Sequence, residues 1–298
     1  MKKEEIFKVL AKYKKQLEEK GYNVIYIGLY GSQNYSVDDE KSDIDARAIV
    51  LPTLNDIIFR KVTSKVYEFD EGAVDVKDLI TYYDVIKKGN FSYVEAIDTE
   101  YSIGDKSIKS MLSVFRPNPK SILGAMYEKR KALTHMYPSK VEEFENWGCD
   151  PKQYHHIVRL YDLLVFNRDN KTYLSYLDYA DPLVGSRSKE EMIELKRNTR
   201  NITKEVMEEQ SDFYIERAKE LVDFKEPYEQ VMIDDVIGAY IEKEIKKKMF
   251  IASEVHSARE VRTFDNPIPS KDLEKFAVLQ QYKGKDVSYI VYESIDIL

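Results

Sequence analysis

Two short stretches of this chain carry residue types that can hold phosphate and a metal ion. The first is Gly31-Ser32-Gln33-Asn34-Tyr35 and the second is Ser42-Asp43-Ile44-Asp45-Ala46-Arg47. A glycine at position 31 can adopt a positive φ and lets backbone approach a ligand closely. The hydroxyl and amide of Ser32 can both donate to a phosphate or cap a helical turn. On a strand, residues two apart share a face, so Asp43, Asp45 and Arg47 point the same way. Two carboxylates at one end of an otherwise hydrophobic strand are costly unless something positive sits between them. Mg²⁺ suits that position, because it takes one or two carboxylates plus phosphate oxygens.

These motifs need two adjacent strands to position them. Residues 23–30 (NVIYIGLY) form a nearly all-apolar run, as expected of a strand buried on both faces, and Gly31-Ser32 ends it. Residues 36–41 are a polar loop, and residues 43–51 read as a second strand. Ahead of both, Ile6, Val9, Leu10, Tyr13 and Leu17 recur at helical spacing until Gly21, which predicts an amphipathic helix beside the first strand.

Gly-Ser after a strand, followed about a dozen residues later by Asp-x-Asp, resembles the nucleotidyltransferase superfamily typified by DNA polymerase β. The fuller wording, GSQNY then SDIDAR, resembles its stand-alone members linked to RNA repair in bacteria and phages. The resemblance covers roughly residues 20–160. It implies an α+β fold: a small mixed sheet with flanking helices, followed by a mainly helical domain. It also implies a third carboxylate on a later strand. Residues 73–77 (AVDVK) supply Asp75 there, although an alternating strand with a solvated polar face would look the same. Asp43, Asp45 and Asp75 are then the expected catalytic and metal residues, holding two Mg²⁺ ions for which Mn²⁺ can substitute. Gly31, Ser32 and Arg47 are the expected nucleotide contacts. The family's Gly-Asn…Glu segment matches Gly89-Asn90 and Glu95, which makes Asn90 a further candidate; read alone, the pair is a helix stop and a surface acid.

The second half of the chain offers one more constellation. Lys152, His156 and Arg159 fall at i, i+4 and i+7 and align on one side of a helix that Pro151 can start. Three potential cations in a row can grip triphosphate oxygens, and the family has a similar Lys…His…Arg helix. A solvated basic face is the plainer reading. His155 is expected to face elsewhere, and His135 and His256 have no neighbours at metal-ligand spacing.

Composition bounds the rest. The 298 residues are 43% hydrophobic and 33% charged, with a net charge of −7. That is a globular composition, and its acidity argues against a large uniform nucleic-acid footprint. The one cysteine, Cys149, excludes an intramolecular disulfide framework and fits a reducing, cytoplasmic compartment. No stretch has the length of a transmembrane helix, and the charged start lacks a signal-peptide core, so no membrane partner is expected.

Further along, residues 62–69 read as a strand, Asp78 as the N-cap of a helix over 79–86, and 105–115 as another helix. Arg116-Pro117-Asn118-Pro119 breaks the chain, which places a catalytic domain at 1–116 and a helical domain at 117–298. Helices are expected at 121–136, 152–166, 189–209, 211–224 and 228–253, and a strand at 287–292. The activity these features predict is transfer of a nucleoside monophosphate from an NTP to a hydroxyl, with release of pyrophosphate. The acceptor stays open between an RNA end such as a tRNA terminus, a protein hydroxyl and a small molecule. The rival is a catalytically idle module of the same fold, antitoxin-like, that binds nucleotide or protein. Oligomeric state is not legible.

Overall fold

The computed structural model describes residues 3–40, 42–181, 187–222 and 233–257, with the side chains of 247–257 left aside. The fold is α+β. The chain divides into two compact units, Met1–Met232 and Ile233–Leu298. The predicted strand at 287–292 lies outside the described residues.

The first unit opens with helix α1 (Lys3–Glu19), which buries Ile6, Val9, Leu10, Tyr13 and Leu17 as its spacing predicts. Strands β1 (Val24–Leu29) and β2 (Ala46–Val50) are buried along their whole length. Helix α2 (Leu54–Ile58) is capped by Thr53 in a reciprocal box with Asp56. Strands β3 (Ser64–Phe69) and β4 (Gly72–Asp78) form a hairpin, and β5 (Ser102–Gly104) completes a five-stranded mixed sheet of order β3-β4-β2-β1-β5. Only β2 and β4 run parallel, in a register that sets Arg47 opposite Asp75. That pairing governs the site.

Asp78 caps α3 (Leu79–Ile86) by accepting from the Thr81 amide, as expected. Asn90 caps α4 (Phe91–Asp98) by accepting from the Ser92 amide. After α5 (Lys106–Leu112) the chain is helical: α6 (Pro119–Leu133), α7 (Val141–Trp147), α8 (Pro151–Asn170), α9 (Lys189–Arg197) and α10 (Lys204–Val222). The expected single helix over 189–209 is broken at 198–203. Asn198 and Asn201 both take positive φ there, a conformation asparagine tolerates better than most residues. The break at 210 does not occur, and α10 runs through it. The second unit contributes α11 (Asp234–Ser257).

Within the first unit one core joins α1 to β1, β2 and β4. Another lies among the helices after residue 117, and it also takes in Tyr35 and Val37 from the loop after β1 and Phe91 from the start of α4. The helices after residue 117 that build this second core therefore share one compact unit with the sheet.

Gly28 is required by a close approach. A Cβ there would lie 2.0 Å from the Ala96 carbonyl oxygen, so β1 and α4 meet through backbone. Gly28→Ala is expected to lower the unfolding free energy by about 1–3 kcal/mol, the usual cost of overpacking a filled core, as read by urea denaturation.

Candidate functional site

The turn after β1 is fixed by a buried carboxylate. Gly31 takes φ +103°, and the chain folds back through Asn34 N–H to Gly31 O at 3.0 Å and Val37 N–H to Ser32 O at 3.1 Å. Behind the turn Glu95, on α4, is 0% exposed. Its Oε1 accepts from the Gly31 amide at 2.7 Å and from Asn34 Nδ2 at 3.1 Å, and its Oε2 accepts from the Tyr35 hydroxyl at 2.5 Å. Burial pushes the Glu95 carboxyl up, while the Arg159 guanidinium and these three donors oppose the shift. Glu95, which the resemblance makes a candidate near the nucleotide and which read alone is a surface acid, is wholly buried. Its position five residues after the Asn90 cap and inside an apolar stretch, Phe91 to Ile97, is the signal that it faces inward.

The turn opens into a cavity of about 810 Å³ lined by Gly31, Ser32, Asp43, Asp45 and Arg47 from the sheet side and by Asn90 and Ser92 at the start of α4. The shared face of Asp43, Asp45 and Arg47 is thus as the alternation predicts, although Asp43 and Asp45 lie in the extended segment just before β2. Asp45 Oδ1 accepts from the Ala73 amide at 3.1 Å. Burial raises its carboxyl above the ordinary range; the Ala73 bond opposes this and the Asp43 charge adds to it.

Asp75 does not join them. Its Oδ2 accepts from Arg47 Nη1 at 2.8 Å and from the Tyr93 hydroxyl at 2.7 Å, and Lys77 Nζ stands 3.4 Å from its Oδ1. Arg47 also donates to Ser92 Oγ at 3.1 Å, and its guanidinium lies between the rings of Tyr30 and Tyr93, 4.4 and 3.6 Å from their centroids. Among the described residues no group of three or more His, Cys, Asp or Glu is placed to hold a metal ion. The three aspartates expected to share two ions are not gathered here: the β2–β4 register sets Asp75 against Arg47, while Asp43 and Asp45 line the cavity. Asp43 and Asp45 remain, and two carboxylates beside a cation-lined cavity fit one Mg²⁺.

The opposite wall is α8. Lys152, His156 and Arg159 all line the cavity, as their spacing predicts, and so does His155, which was expected to face elsewhere. Positions 152, 155, 156 and 159 are i, i+3, i+4 and i+7, so the full face was present in the sequence. The imidazoles are not cations, however. Burial holds both well below their ordinary value, and Arg159, Lys152 and Lys129 push the same way. Arg159 lies 3.9 Å from the centroid of the Tyr35 ring.

More cations arrive from elements that sequence reading did not connect to this site. Lys129 comes from α6, and Lys196 and Arg197 from the end of α9. Lys196 Nζ donates to the Val37 carbonyl at 3.1 Å and to Ser42 Oγ at 2.8 Å, and Arg197 grips both oxygens of Asp39 at 2.6 Å. These bonds pin the loop that delivers Asp43. Burial brings the Lys196 ammonium down to about 8. No local signal links α9 to residues some 155 positions earlier; only the fold does. Among the described lining residues seven Lys or Arg face four Asp or Glu, so the cavity is positive in a chain whose net charge is −7.

With this geometry established, the chain was compared with known proteins. No family model matches it, and no curated protein does. One similar solved structure is the nucleotidyltransferase-like protein from Exiguobacterium sibiricum 255-15, at 12% identity over 98% of this chain and 92% of that one, with a TM-score of 0.27. A likeness of that size carries no argument about this site.

Two outcomes follow. The side chains of Arg47 and Asp75 are only 9% and 13% exposed, so Asp75→Ala leaves a buried guanidinium short of its charge partner. It is expected to cost about 3–5 kcal/mol of stability in chemical denaturation. Asp43→Ala, which relieves like-charge crowding, should leave the melting temperature level or higher. The second outcome concerns pH. The unfolded chain takes up protons on His155 and His156 near pH 6.5, while the folded chain does not. Their contribution to stability is therefore full above pH 6.5 and falls as pH drops below it, by at most about 1.4 kcal/mol per pH unit per histidine. Unfolding free energies at pH 7.5 and 5.5 should show a smaller difference in His155→Gln and His156→Gln than in the unsubstituted chain.

Proposed function

We propose that this cavity binds a nucleoside triphosphate and transfers its nucleotidyl group to an acceptor hydroxyl. The observation that carries the reading is the juxtaposition across one cavity. Gly31-Ser32 and the Asp43–Asp45 pair stand on one wall, and a cationic helix face stands on the other, in an acidic protein. The backbone of the Gly31 turn, preset by Glu95, presents Ser32 to the phosphates. Lys152 and Arg159 neutralise the triphosphate from the opposite side, and the imidazoles of His155 and His156 add hydrogen bonds. Asp43 and Asp45 would hold one Mg²⁺, which when bound offsets charge on the phosphate oxygens and makes the α-phosphorus more electrophilic. The acceptor oxygen then bonds to the α-phosphorus. The bond to the β-phosphate breaks, pyrophosphate leaves with that electron pair, and the hydroxyl proton is released to water.

Arg47 plays a different part. Held by Asp75, Ser92 and two aromatic rings, it is a fixed positive charge beneath the carboxylates and not a mobile phosphate clamp. The engagement of Asp75 is also the one observation that favours the rival reading, a module that binds NTP without transferring from it.

Incubation with each α-labelled NTP and Mg²⁺ or Mn²⁺, against bulk RNA and cell lysate, separates the two. Metal-dependent label on RNA or protein that is lost in Asp43→Ala and Asp45→Ala, with the fold intact by circular dichroism, supports transfer. Tight NTP binding without label supports the idle module, and neither binding nor label overturns both. In direct titration Arg159→Ala should weaken NTP binding by roughly one to two orders of magnitude, the value of one charge-assisted phosphate contact. It should leave a bare nucleoside's affinity nearly unchanged.

A further inference from the structure

The part of the cavity around α8 holds polar groups that the fold itself does not use. His155 is 1% exposed and Arg159 is 4% exposed. Both ring nitrogens of His155, Nδ1 of His156, and Nε and Nη1 of Arg159 find no hydrogen-bond partner among the described residues. The two imidazoles stand with ring centroids 5.2 Å apart, and all three side chains line the same cavity. Buried polar groups without partners are costly, and five such atoms at one place are a built recognition surface awaiting a polar ligand.

The groups that face the imidazoles fix the sign of that ligand. Lys152 and Arg159 come from α8 itself, Lys129 from α6, and Lys196 and Arg197 from α9. Carboxylates are fewer. Glu95 of α4 already accepts from Gly31, Asn34 and Tyr35, and Glu128 of α6 pairs with Lys131 at 3.1 Å. α10 meets α8 at Tyr154, whose hydroxyl bonds to Gln210. An imidazole among so many cations stays neutral. A multiply charged anion placed there cancels the repulsion, and a proton can then be accommodated on the ring.

We propose that His155 and His156, with Lys129 and Arg159, form a polyphosphate subsite that binds its anion together with a proton taken up by the imidazole pair. This deepens the nucleotide-binding reading and rests on it. It adds Lys129 and His155 to the triphosphate contacts, and it makes affinity fall as pH rises. The imidazoles change state between free and bound forms, hydrogen-bonding to the anion as neutral rings or as imidazolium. The proton comes from solvent, and no covalent step is involved.

Calorimetric titration of the full chain with inorganic tripolyphosphate, and separately with ATP, tests this. Measurements are made without metal at pH 7.0 in two buffers of different ionisation enthalpy. A cationic site can only release the residual proton of a terminal phosphate, and Lys196 is mostly charged there, so it can take up only about a tenth of a proton. The expected result is uptake of at least about half a proton per anion bound, with affinity falling correspondingly from pH 6.5 to 7.5. Uptake should drop to about 0.2 or less in the His155→Gln, His156→Gln double variant. Adenosine should give no uptake.

Binding of both anions with no more uptake than Lys196 supplies overturns the proposal and leaves the nucleotide reading standing. Uptake that survives in the double variant overturns it as well. Failure of both anions to bind overturns the proposal and the nucleotide reading together. Should the double variant not fold, the ring resonances of the unsubstituted chain decide. Two of its four histidines must shift toward the imidazolium position on adding tripolyphosphate, and no shift overturns the proposal.

Discussion

A carboxylate taken wholly out of water supports this site. Burial raises the Glu95 carboxyl, and the Arg159 guanidinium and three donors, each belonging to the turn that follows β1, oppose that shift. In exchange, that turn loses its freedom. The Gly31 amide is committed to Glu95, Asn34 is tied further to the Leu29 carbonyl and the Thr99 hydroxyl, and Tyr35 is anchored where Arg159 can lie on its ring. An unpaired buried charge costs several kcal/mol, so the network is close to all-or-none. One side chain on α4 thereby sets the position of the Gly-Ser backbone, the tilt of the Tyr35 ring and, through it, the placement of a cation on α8. This is how a sheet loop and a helix more than a hundred residues later come to line one cavity.

The charge distribution follows the same division of labour. The sheet contributes carboxylates and neutralises its own surplus: Arg47 with Asp75, and Asp45 with the Ala73 amide. The helices contribute the cations. Arg197 and Lys196 use part of their charge to hold the loop 37–42, and Lys152, Arg159 and Lys129 leave theirs turned toward the cavity. Concentrating positive charge in one concave place lets an acidic chain attract a polyanion locally while its outer surface stays negative. The carboxylates on the far wall would repel that same anion, which is the physical reason to place a divalent cation between them.

Much of this was legible in the sequence, and the limits are instructive. Patterns confined to one element read well. The buried run before Gly31, the i, i+2 face of Asp43, Asp45 and Arg47, and the Asp78 cap all stand as their local chemistry requires. Patterns that depend on which element lies beside which did not. An aspartate in an alternating strand looks the same whatever it meets, and it is the parallel register of β2 with β4 that sets Asp75 against Arg47. His156 looked like a cation by residue type, yet neutrality is a property of its surroundings. His155, at i+3 from Lys152, belongs to the same helix face as His156 at i+4. Lys129, Lys196 and Arg197 carry no motif; they matter because the packing of α6, α8 and α9 delivers them. The helix break at Asn198 had a signal in two asparagines that tolerate positive φ, but helical periodicity on both sides obscured it.

The central claim is that one cavity holds a triphosphate between Ser32 and the α8 face, with a single divalent ion on Asp43 and Asp45. A crystal structure with Mg²⁺ and an NTP analogue blocked between the α- and β-phosphates tests it most directly. The account predicts phosphate oxygens within hydrogen-bond reach of Ser32, Lys152 and Arg159, an ion bound to both aspartates, and an Arg47–Asp75 pair left closed. An analogue bound away from α8, or an ion that breaks that pair and recruits Asp75, would contradict it.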